Sequence, residues 1–308
     1  MQDENGPSSG GHKLGQLIGD WWEEHIVWPL LREVAGRLEL FLDSRFQERP
    51  VRGDAPIWQD SEGNSVGYDF VLELNGSQVD RGIPVGFVEG FWRRGSRHSK
   101  DKARDDTGKL LPIRDTYPTA RFLGIVASGD FTQPAREFVA SRNVEILCVP
   151  KDKVVQAFAQ HGVTIDYLDK AAEEEKKELA SACERTLTPK VKLDIAATLT
   201  QLVGQASFDG YASRVGAALA ALPQEIRITE SVHSRPAVFN SIAAATAFLA
   251  SPIFEPVEGS VSYRYGITYS DGSEFFREIA TIGELRQLHD QLRVLAEHME
   301  GLAARARI

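Results

Sequence analysis

Cysteine is scarce in this 308-residue chain, which contains only Cys148 and Cys183. Two thiols in separate segments provide neither a disulfide framework nor a zinc-binding thiol cluster, so a reducing cytoplasm is the expected compartment. The sequence also lacks a P-loop, a Gly-rich dinucleotide fingerprint after a strand, a His-Glu-x-x-His helix motif and a Cys/His zinc spacing. It therefore gives no indication of ATP hydrolysis, a redox cofactor or structural zinc.

Long apolar runs are missing too. No run approaches the roughly 18 residues that a membrane-spanning helix needs. Residues 1–13 are polar and rich in Gly and Ser, without the apolar segment of a signal peptide. We predict that residues 1–13 are a disordered lead-in and that the protein does not associate with membranes. A hydrophobic content of 42% and a charged content of 26% are ordinary for globular proteins, and the length suits two modest domains.

Positive charge is in the minority, because the formal net charge is -9. A general coating of nucleic acid is therefore disfavoured, although one local basic patch can still bind it. Such a patch is present between Arg93 and Lys109, where seven Lys and Arg stand with three Asp. We interpret it as a clamp on a phosphate backbone, with binding that weakens steeply as salt rises. The alternative is a solvated helix whose charges are balanced by Asp101, Asp105 and Asp106.

The order of predicted elements indicates an α/β core. Residues 14–46 repeat apolar side chains at helical spacing, with an interruption at Pro29 that favours two helices or one kinked helix. A hairpin over residues 57–74, a buried strand over 83–92, the basic helix, a strand over 120–128, a helix over 134–141 and a strand over 144–150 follow. This order predicts a mixed central sheet flanked by helices.

The remainder of the chain has a different pattern. Residues 166–190 are charged and helix-prone, and they predict a helical connector after a core domain at 14–165. Residues 191–308 combine helical patterns with an alternating strand, a turn at 270–273 and a final helix. We predict a C-terminal α+β domain here, with recognition, dimerisation or partner docking as its role.

Two carboxylates in the core stand out. Asp69 lies on the second strand of the hairpin, and Glu89 interrupts an apolar run in which an unpaired charge is costly. If the two strands pair antiparallel, the carboxylates meet at one place and suit a hard divalent cation such as Mg²⁺, the usual aid to phosphodiester hydrolysis. The alternative for Asp69 is a polar residue on the wet face of the hairpin, which is how we interpret Glu73.

This layout resembles the PD-(D/E)XK nuclease superfamily, which has the restriction-endonuclease-like fold, over about residues 14–155. Asp69 follows Tyr68 where the family has its Pro-Asp element, and Glu89-Gly90-Phe91 occupies the second element with Phe in place of Lys. The resemblance implies that Asp69 and Glu89 are catalytic metal ligands. An acid from the first helix would complete the site, and the candidates are Glu33 and Glu24.

The basic segment is similar to a subgroup whose catalytic Lys comes from the following helix. The similarity rests on Trp92-Arg93-Arg94 and a downstream His-Ser-x-x-Lys element. It implies that Lys102 is the displaced catalytic Lys, with Arg93 as its rival. The residues implied in DNA binding are Arg94, Arg97, His98, Ser99 and Lys100.

The resemblance implies a Mg²⁺-dependent endodeoxyribonuclease, with Mn²⁺ as a possible substitute, acting in bacterial restriction or anti-phage defence. Its expected partners are DNA and either a second copy of the chain or accessory defence proteins, because double-strand cleavage usually needs two active sites. Phe91 at the Lys position keeps a second hypothesis open, namely a catalytically inactive DNA-binding or assembly subunit. An RNase on the same scaffold is the third.

Overall fold

A computed structural model describes residues 9–95, 99–231, 236–251, 254 and 262–305, and only the backbone at Ser99 and Lys100. The chain forms two compact units. The first comprises the residues up to Thr116 together with Phe122–Val215, and the second comprises Tyr117–Arg121 together with the residues from Gly216 onward.

The first unit is built on a five-stranded sheet. Its helices are α1 (Gly10–Trp22), α2 (Trp28–Arg37), α3 (Ser99–Thr116), α4 (Gln133–Ala140), α5 (Lys151–Gln160), α6 (Glu173–Thr186), α7 (Pro189–Val203) and the first part of α8 (Gln205–Ala220). Its strands are β1 (Phe41–Ser44), β2 (Ile57–Gln59), β3 (Ser65–Gly67), β4 (Phe70–Leu74), β5 (Ile83–Arg93), β6 (Phe122–Gly129) and β7 (Glu145–Pro150).

The main sheet has the strand order β1-β4-β5-β6-β7, while β2 and β3 form a separate ribbon. The β1, β4 and β5 strands pair antiparallel, and β5, β6 and β7 pair parallel. Because helices cover the apolar strands, β4, β6 and nearly all of β5 are buried. The predicted α/β class with a mixed central sheet is therefore confirmed.

The N-terminal helical pattern ends earlier than its periodicity predicts. The helix continues through a π-helical segment, Glu23–Val27, before α2, and Pro29 occupies the first turn of α2, where its missing N–H costs nothing. Glu39 then takes a left-handed conformation with φ 51°, which breaks the helix. Residues 41–44, which the pattern assigned to a helix, form β1 on the edge of the sheet.

A buried ionic cluster holds this edge together. The Arg49 guanidinium donates to Glu73 Oε1 at 2.6 Å and Oε2 at 2.8 Å, and to Asp43 Oδ2 at 2.7 Å. Arg52 Nε donates to both oxygens of Asp43. The interpretation of Glu73 as a wet-face residue is therefore wrong, because Glu73 is 0% exposed. Its burial is tolerated because an arginine from a distant loop satisfies the carboxylate.

The predicted domain boundaries differ from the observed packing. Residues 166–190 do not merely connect two domains, because Lys13 Nζ pairs with Glu184 Oε2 at 2.6 Å where α6 lies against α1. Trp21 Nε1 donates to the carbonyl of Lys192 at 3.0 Å, so α7 also belongs to the first unit. Within the predicted lead-in at 1–13, residues 10–13 are helical, and residues 1–8 lie outside the described part of the chain.

The second unit is α+β, as predicted. Its elements are β8 (Pro223–Glu230), β9 (Ala237–Phe239), α9 (Ile242–Ala250), β10 (Tyr263–Tyr269), β11 (Glu274–Ile279) and α10 (Ile282–Arg305). The strands form an antiparallel sheet in the order β11-β10-β8-β9, and the predicted turn at 270–273 joins β10 to β11. One face of this sheet contributes to an apolar core with side chains of α9 and α10.

A polar group lies inside that core. His289 is 2% exposed, and Tyr265 Oη and Thr246 Oγ1 each lie 2.8 Å from one of its ring nitrogens. Thr246 donates its own proton to the Ile242 carbonyl, so it accepts from His289 Nε2 and leaves Nδ1 to accept from Tyr265. The ring is therefore neutral, and burial lowers its pKa below 6.5.

Over the residues that the structure describes, every helix is too short or too polar to cross a lipid bilayer.

Replacement of Arg49 by Ala should destabilise the first unit by about 3–5 kcal/mol, because Asp43 and Glu73 would remain buried without a cation. The chain's tryptophans, Trp21, Trp22, Trp28, Trp58 and Trp92, all lie in the first unit, so their fluorescence during urea unfolding measures this change. Arg37→Ala is the matched control, since its pair with Glu33 is exposed and should contribute less than about 1 kcal/mol. Equal effects of the two substitutions would contradict the importance of the cluster.

The second unit should lose stability in mild acid. Because folding lowers the pKa of His289, its contribution is fully present above the unfolded pKa of 6.5 and is lost as pH falls toward the folded pKa. In hydrogen exchange, local opening of α10 in the wild type should increase by up to about tenfold per pH unit below 6.5. His289→Leu, compared with wild type at each pH, should show a pH-independent opening equilibrium. Parallel profiles for the two proteins would count against this account.

Candidate active site

The two predicted carboxylates meet across β4 and β5. These strands pair antiparallel with Phe70 opposite Val88, and the same register places Asp69 opposite Glu89. Asp69 Oδ2 accepts a hydrogen bond from the Gly90 backbone N–H at 2.9 Å, which fixes its carboxylate beside β5. In the described part of the chain, no hydrogen bond involves Asp69 Oδ1. The juxtaposition that the sequence predicted is therefore present.

Glu89 is buried, and only one of its two carboxylate oxygens has a hydrogen-bond partner among the described residues. It is 1% exposed, and its Oε2 accepts from Lys109 Nζ at 2.6 Å. Its Oε1 is buried, with no hydrogen-bond partner among the described residues. Burial first, and then the negative charge of Asp69, raise the pKa of Glu89 well above its ordinary value, while Lys109 opposes the shift. An unpaired buried oxygen of this kind is costly, and it is a natural ligand for a cation.

A third acid comes from the first residue of the π-helical segment. Glu23 faces the Asp69 and Glu89 pair, and Gly90 makes room for it because a Cβ at Gly90 would lie 3.1 Å from Glu23 Cγ. Burial and the charge of Asp69 raise the pKa of Glu23 to about 8, against the opposing charge of Arg45. Arg45 Nε donates to Glu23 Oε2 at 3.0 Å. Glu23 was not among the helix acids predicted for the site.

The two preferred helix acids lie elsewhere. Glu24 Oε2 is 3.3 Å from His25 Nε2 and 3.5 Å from Lys192 Nζ. Glu33 is exposed and pairs with Arg37 at 2.9 Å. Neither residue lines the cavity beside Asp69 and Glu89, so Glu23 replaces both as the helix acid of the site.

The helix cation is also a different residue from the one predicted. Lys109, one helical turn after Asp106, contacts Glu89, while Lys102 pairs with Asp106 and lies 5.4 Å from the centre of the Phe91 ring. These three α3 residues are four and three positions apart and therefore share one helix face. Asp106 is 1% exposed, and burial raises its pKa although Lys102 opposes the shift. The expectation that α3 supplies the cation is met by Lys109.

The two arginines at the end of β5 have separate surroundings. Arg93 is exposed and lines the cavity. Arg94 lies over the Tyr167 ring at 4.1 Å, donates to the Tyr167 carbonyl at 2.9 Å and pairs with Asp166 and Asp169. These protein contacts hold the Arg94 guanidinium in place, and Arg94 also lines the cavity beside Asp69 and Glu89. Its predicted contact with DNA stays a prediction.

Four further predicted DNA contacts cannot be placed. Arg97 and His98 lie outside the described residues, as do the side chains of Ser99 and Lys100.

The carboxylates and lysines open into one cavity of about 440 Å³. Its charged walls are Asp20, Glu23, Asp69, Glu89, Arg93, Arg94, Lys102 and Lys109. Among the described residues, no three His, Cys, Asp or Glu side chains already converge tightly enough to hold a metal ion. The oxygen-rich donors do suit a hard divalent ion, because Glu89 Oε1 is buried and unpaired and Asp69 and Glu23 lie beside it.

No known family model and no curated protein matches this chain. Among solved structures, a crystal structure of a protein of unknown function aligns with 54% of this chain and 96% of its own, with 11% identity and a TM-score of 0.29. Similarity at this level does not establish a shared fold, and it carries nothing about function.

Glu89→Gln should stabilise the metal-free protein at alkaline pH. Because folding raises the pKa of Glu89 above 4.5, the favourable protonated form is lost as pH rises through the folded pKa. Glutamine keeps the shape without the charge, so its advantage in tryptophan-monitored urea unfolding should grow between pH 5 and pH 9 in EDTA. Glu33→Gln, on the exposed face of α2, should show no such trend. An advantage that does not change with pH would contradict the burial argument.

Proposed function

We propose that the first unit is a metal-dependent phosphodiester hydrolase that cleaves DNA internally. The observation that carries the proposal is the cross-strand pair Asp69 and Glu89, with Lys109 Nζ 2.6 Å from Glu89 Oε2, at one open cavity. Two carboxylates and a lysine at one cavity are the groups that this hydrolysis requires. Membership of the PD-(D/E)XK superfamily remains a prediction from the sequence motifs.

The residues fit Mg²⁺ or Mn²⁺. Asp69 and Glu89, with Glu23 beside them, would hold the ion through carboxylate oxygens that the protein leaves without a partner. When bound there, a divalent ion polarises the phosphoryl group and lowers the pKa of a coordinated water.

The chain's own cations have separate roles in this proposal. Lys109 is held at the carboxylate pair and stabilises the negative charge that develops on the phosphoryl oxygens. Arg93, exposed at the mouth of the cavity, contacts a flanking phosphate. Lys102 is paired with buried Asp106 and supports the positive potential of this α3 face. The positive potential of this α3 face and the basic segment 93–109 are the reasons for proposing DNA as the substrate.

The sequence resemblance supports a cytoplasmic enzyme of bacterial restriction or anti-phage defence, acting as a homodimer or with accessory defence proteins. The inactive-subunit hypothesis rests chiefly on Phe91 at the usual Lys position. The contact of Lys109 with Glu89 supports the enzyme instead, because a lysine reaches the acidic residue from α3.

Plasmid nicking with Mg²⁺ or Mn²⁺ tests the proposal. Wild-type protein should nick supercoiled DNA, and Glu89→Gln and Lys109→Met should each slow nicking by about 10²–10³-fold, the usual effect of removing a group that stabilises the transition state. Lys102→Met should have a smaller effect. Lys190→Met is the matched control, because its i,i+4 pair with Asp194 is solvent-exposed and lies outside the site.

Two other outcomes identify the rivals. DNA binding without cleavage under every metal condition would indicate a catalytically inactive DNA-binding or assembly subunit. Faster cleavage of RNA than of DNA of the same sequence would indicate an RNase. If Lys109→Met cleaves as fast as the Lys190→Met control, the assigned role of Lys109 is wrong.

A further inference from the structure

A second cavity of about 750 Å³ lies at the carboxyl ends of β6 and β7. Residues of α4 and α5 and of the segments that precede them line it, together with Cys148 on β7. The carboxyl ends of parallel strands are the usual position for ligands in open α/β sheets. None of the groups proposed for hydrolysis lines this cavity.

The walls combine aromatic, apolar, polar and charged surface. The charged side chains besides Arg136 are Asp130, Lys151, Asp152 and Asp166, and Lys151 Nζ lies 2.9 Å from Asp166 Oδ1. Phe131 presents a half-buried aromatic ring, and Cys148 and Val155 add apolar surface. Burial raises the pKa of Cys148 to about 12, so its thiol is neutral and acts as an apolar wall rather than a nucleophile. Arg136 and Gln156 are exposed at the cavity. Neither side chain makes a hydrogen bond or ion pair in the part of the chain that the structure describes.

This combination matches the needs of a nucleobase. An aromatic ring stacks on the face of any base, and an arginine and an amide offer paired hydrogen bonds to its edge. Apolar surface with a few polar groups that fix orientation is the usual composition of a small-molecule pocket. A bare phosphate would not use Phe131 or Val155.

The second cavity lies close to the first. Arg93 pairs in register with Gly129, and Gly129 pairs with Pro150, so the three parallel strands end side by side. Gly129 has φ 119°, and a Cβ there would lie 1.8 Å from the Arg93 carbonyl oxygen. The Phe131 ring is 5.9 Å from the Phe91 ring, which lines the hydrolytic cavity. The backbones of β5 and β7 are therefore separated by only one intervening strand.

Distances along a nucleic acid fit this arrangement. Two strand spacings amount to about 10 Å, since neighbouring strands lie roughly 4.8 Å apart, and Glu89 lies four residues before Arg93, which is about 13 Å along β5. The two distances combine to about 16 Å. Stacked nucleotides advance about 3.4 Å along the helix axis. A base within about five nucleotides of a phosphate beside Glu89 can therefore reach the second cavity.

We propose that the second cavity binds one unpaired nucleobase of the substrate strand, within about five nucleotides of the phosphate that is cleaved. The inference rests on the proposed nuclease function and narrows its substrate class. A base that enters a cavity must leave its stack and its partner. The preferred substrate is therefore single-stranded DNA, or duplex DNA with a mismatch or unpaired base near the cleavage point.

Abasic scanning tests the proposal without relying on cleavage. Wild-type protein in EDTA is titrated with a set of single-stranded oligonucleotides of one length, each carrying one abasic site at a successive position. One position, or two adjacent positions, should weaken binding about tenfold, the effect of losing one stacked base. The weakened position should lie within about five nucleotides of the bond that the same protein cleaves when Mg²⁺ is added.

Variants assign the effect to the cavity. The double variant Arg136→Ala/Gln156→Ala should remove the position dependence while still binding DNA. Arg142→Ala/Gln205→Ala is the matched control, because both residues lie outside the cavity, and it should retain the wild-type profile. 2-Aminopurine placed at the sensitive position should be quenched on binding to wild type and the control, but not to the cavity variant.

The outcomes separate this inference from the proposed function. A flat abasic profile in wild type, no binding of any oligonucleotide, or an unchanged profile in the cavity variant would each overturn the nucleobase site. A position-dependent profile without cleavage in any metal would instead refute the hydrolase and leave the base-binding cavity standing.

Discussion

The burial of Glu89 in the middle of the central sheet is the constraint on which the rest of the site depends. A carboxylate inside an apolar strand is tolerated only where neighbouring elements compensate it. The parallel partner β6 offers no cation, so compensation comes from α3 through Lys109. The antiparallel partner, β4, brings a second acid, Asp69, opposite Glu89, which adds negative charge instead of neutralising it. The local structure thus concentrates negative charge, and burial together with the charge of Asp69 raises the pKa of Glu89 and Glu23.

Two buried ionic clusters in the same unit differ in how completely they are satisfied. Asp43 pairs with Arg49 and Arg52, and Glu73 pairs with Arg49, which also donates to the carbonyls of Ser77 and Asp80, so that cluster stabilises the sheet edge. The cluster at the candidate site leaves oxygens of Glu89 and Asp106 buried without a partner among the described residues. Buried oxygens without a hydrogen-bond partner lower the stability of the fold, and proteins keep such groups where function uses them.

Much of the fold could be predicted from the sequence, because apolar runs and turn residues act locally. Glu89 was identifiable for the same reason, as one charge inside a run of apolar residues. Lys109 was not, because the choice among lysines on α3 depends on how the helix lies against β5. Glu24 and Glu33 were predicted instead of Glu23, since which acid faces the cavity depends on how α1 and the π-helical segment lie against β5. Glu73 was misjudged because Arg49, its partner, comes from a loop 24 residues away.

The π-helical segment Glu23–Val27 has a consequence for how this site can change over time. A π-helical turn closes with i→i+5 hydrogen bonds and so holds one residue more than an α-helical turn. Removing one residue there would restore a regular α-helix while α1 and α2 kept their present faces, because the π-helical turn absorbs the extra residue. The hydrogen bond from the Trp22 ring nitrogen to the β6 carbonyl of Val126, at 3.0 Å, would then remain. A one-residue deletion in this segment can therefore change which residue faces Asp69 and Glu89 without repacking α1.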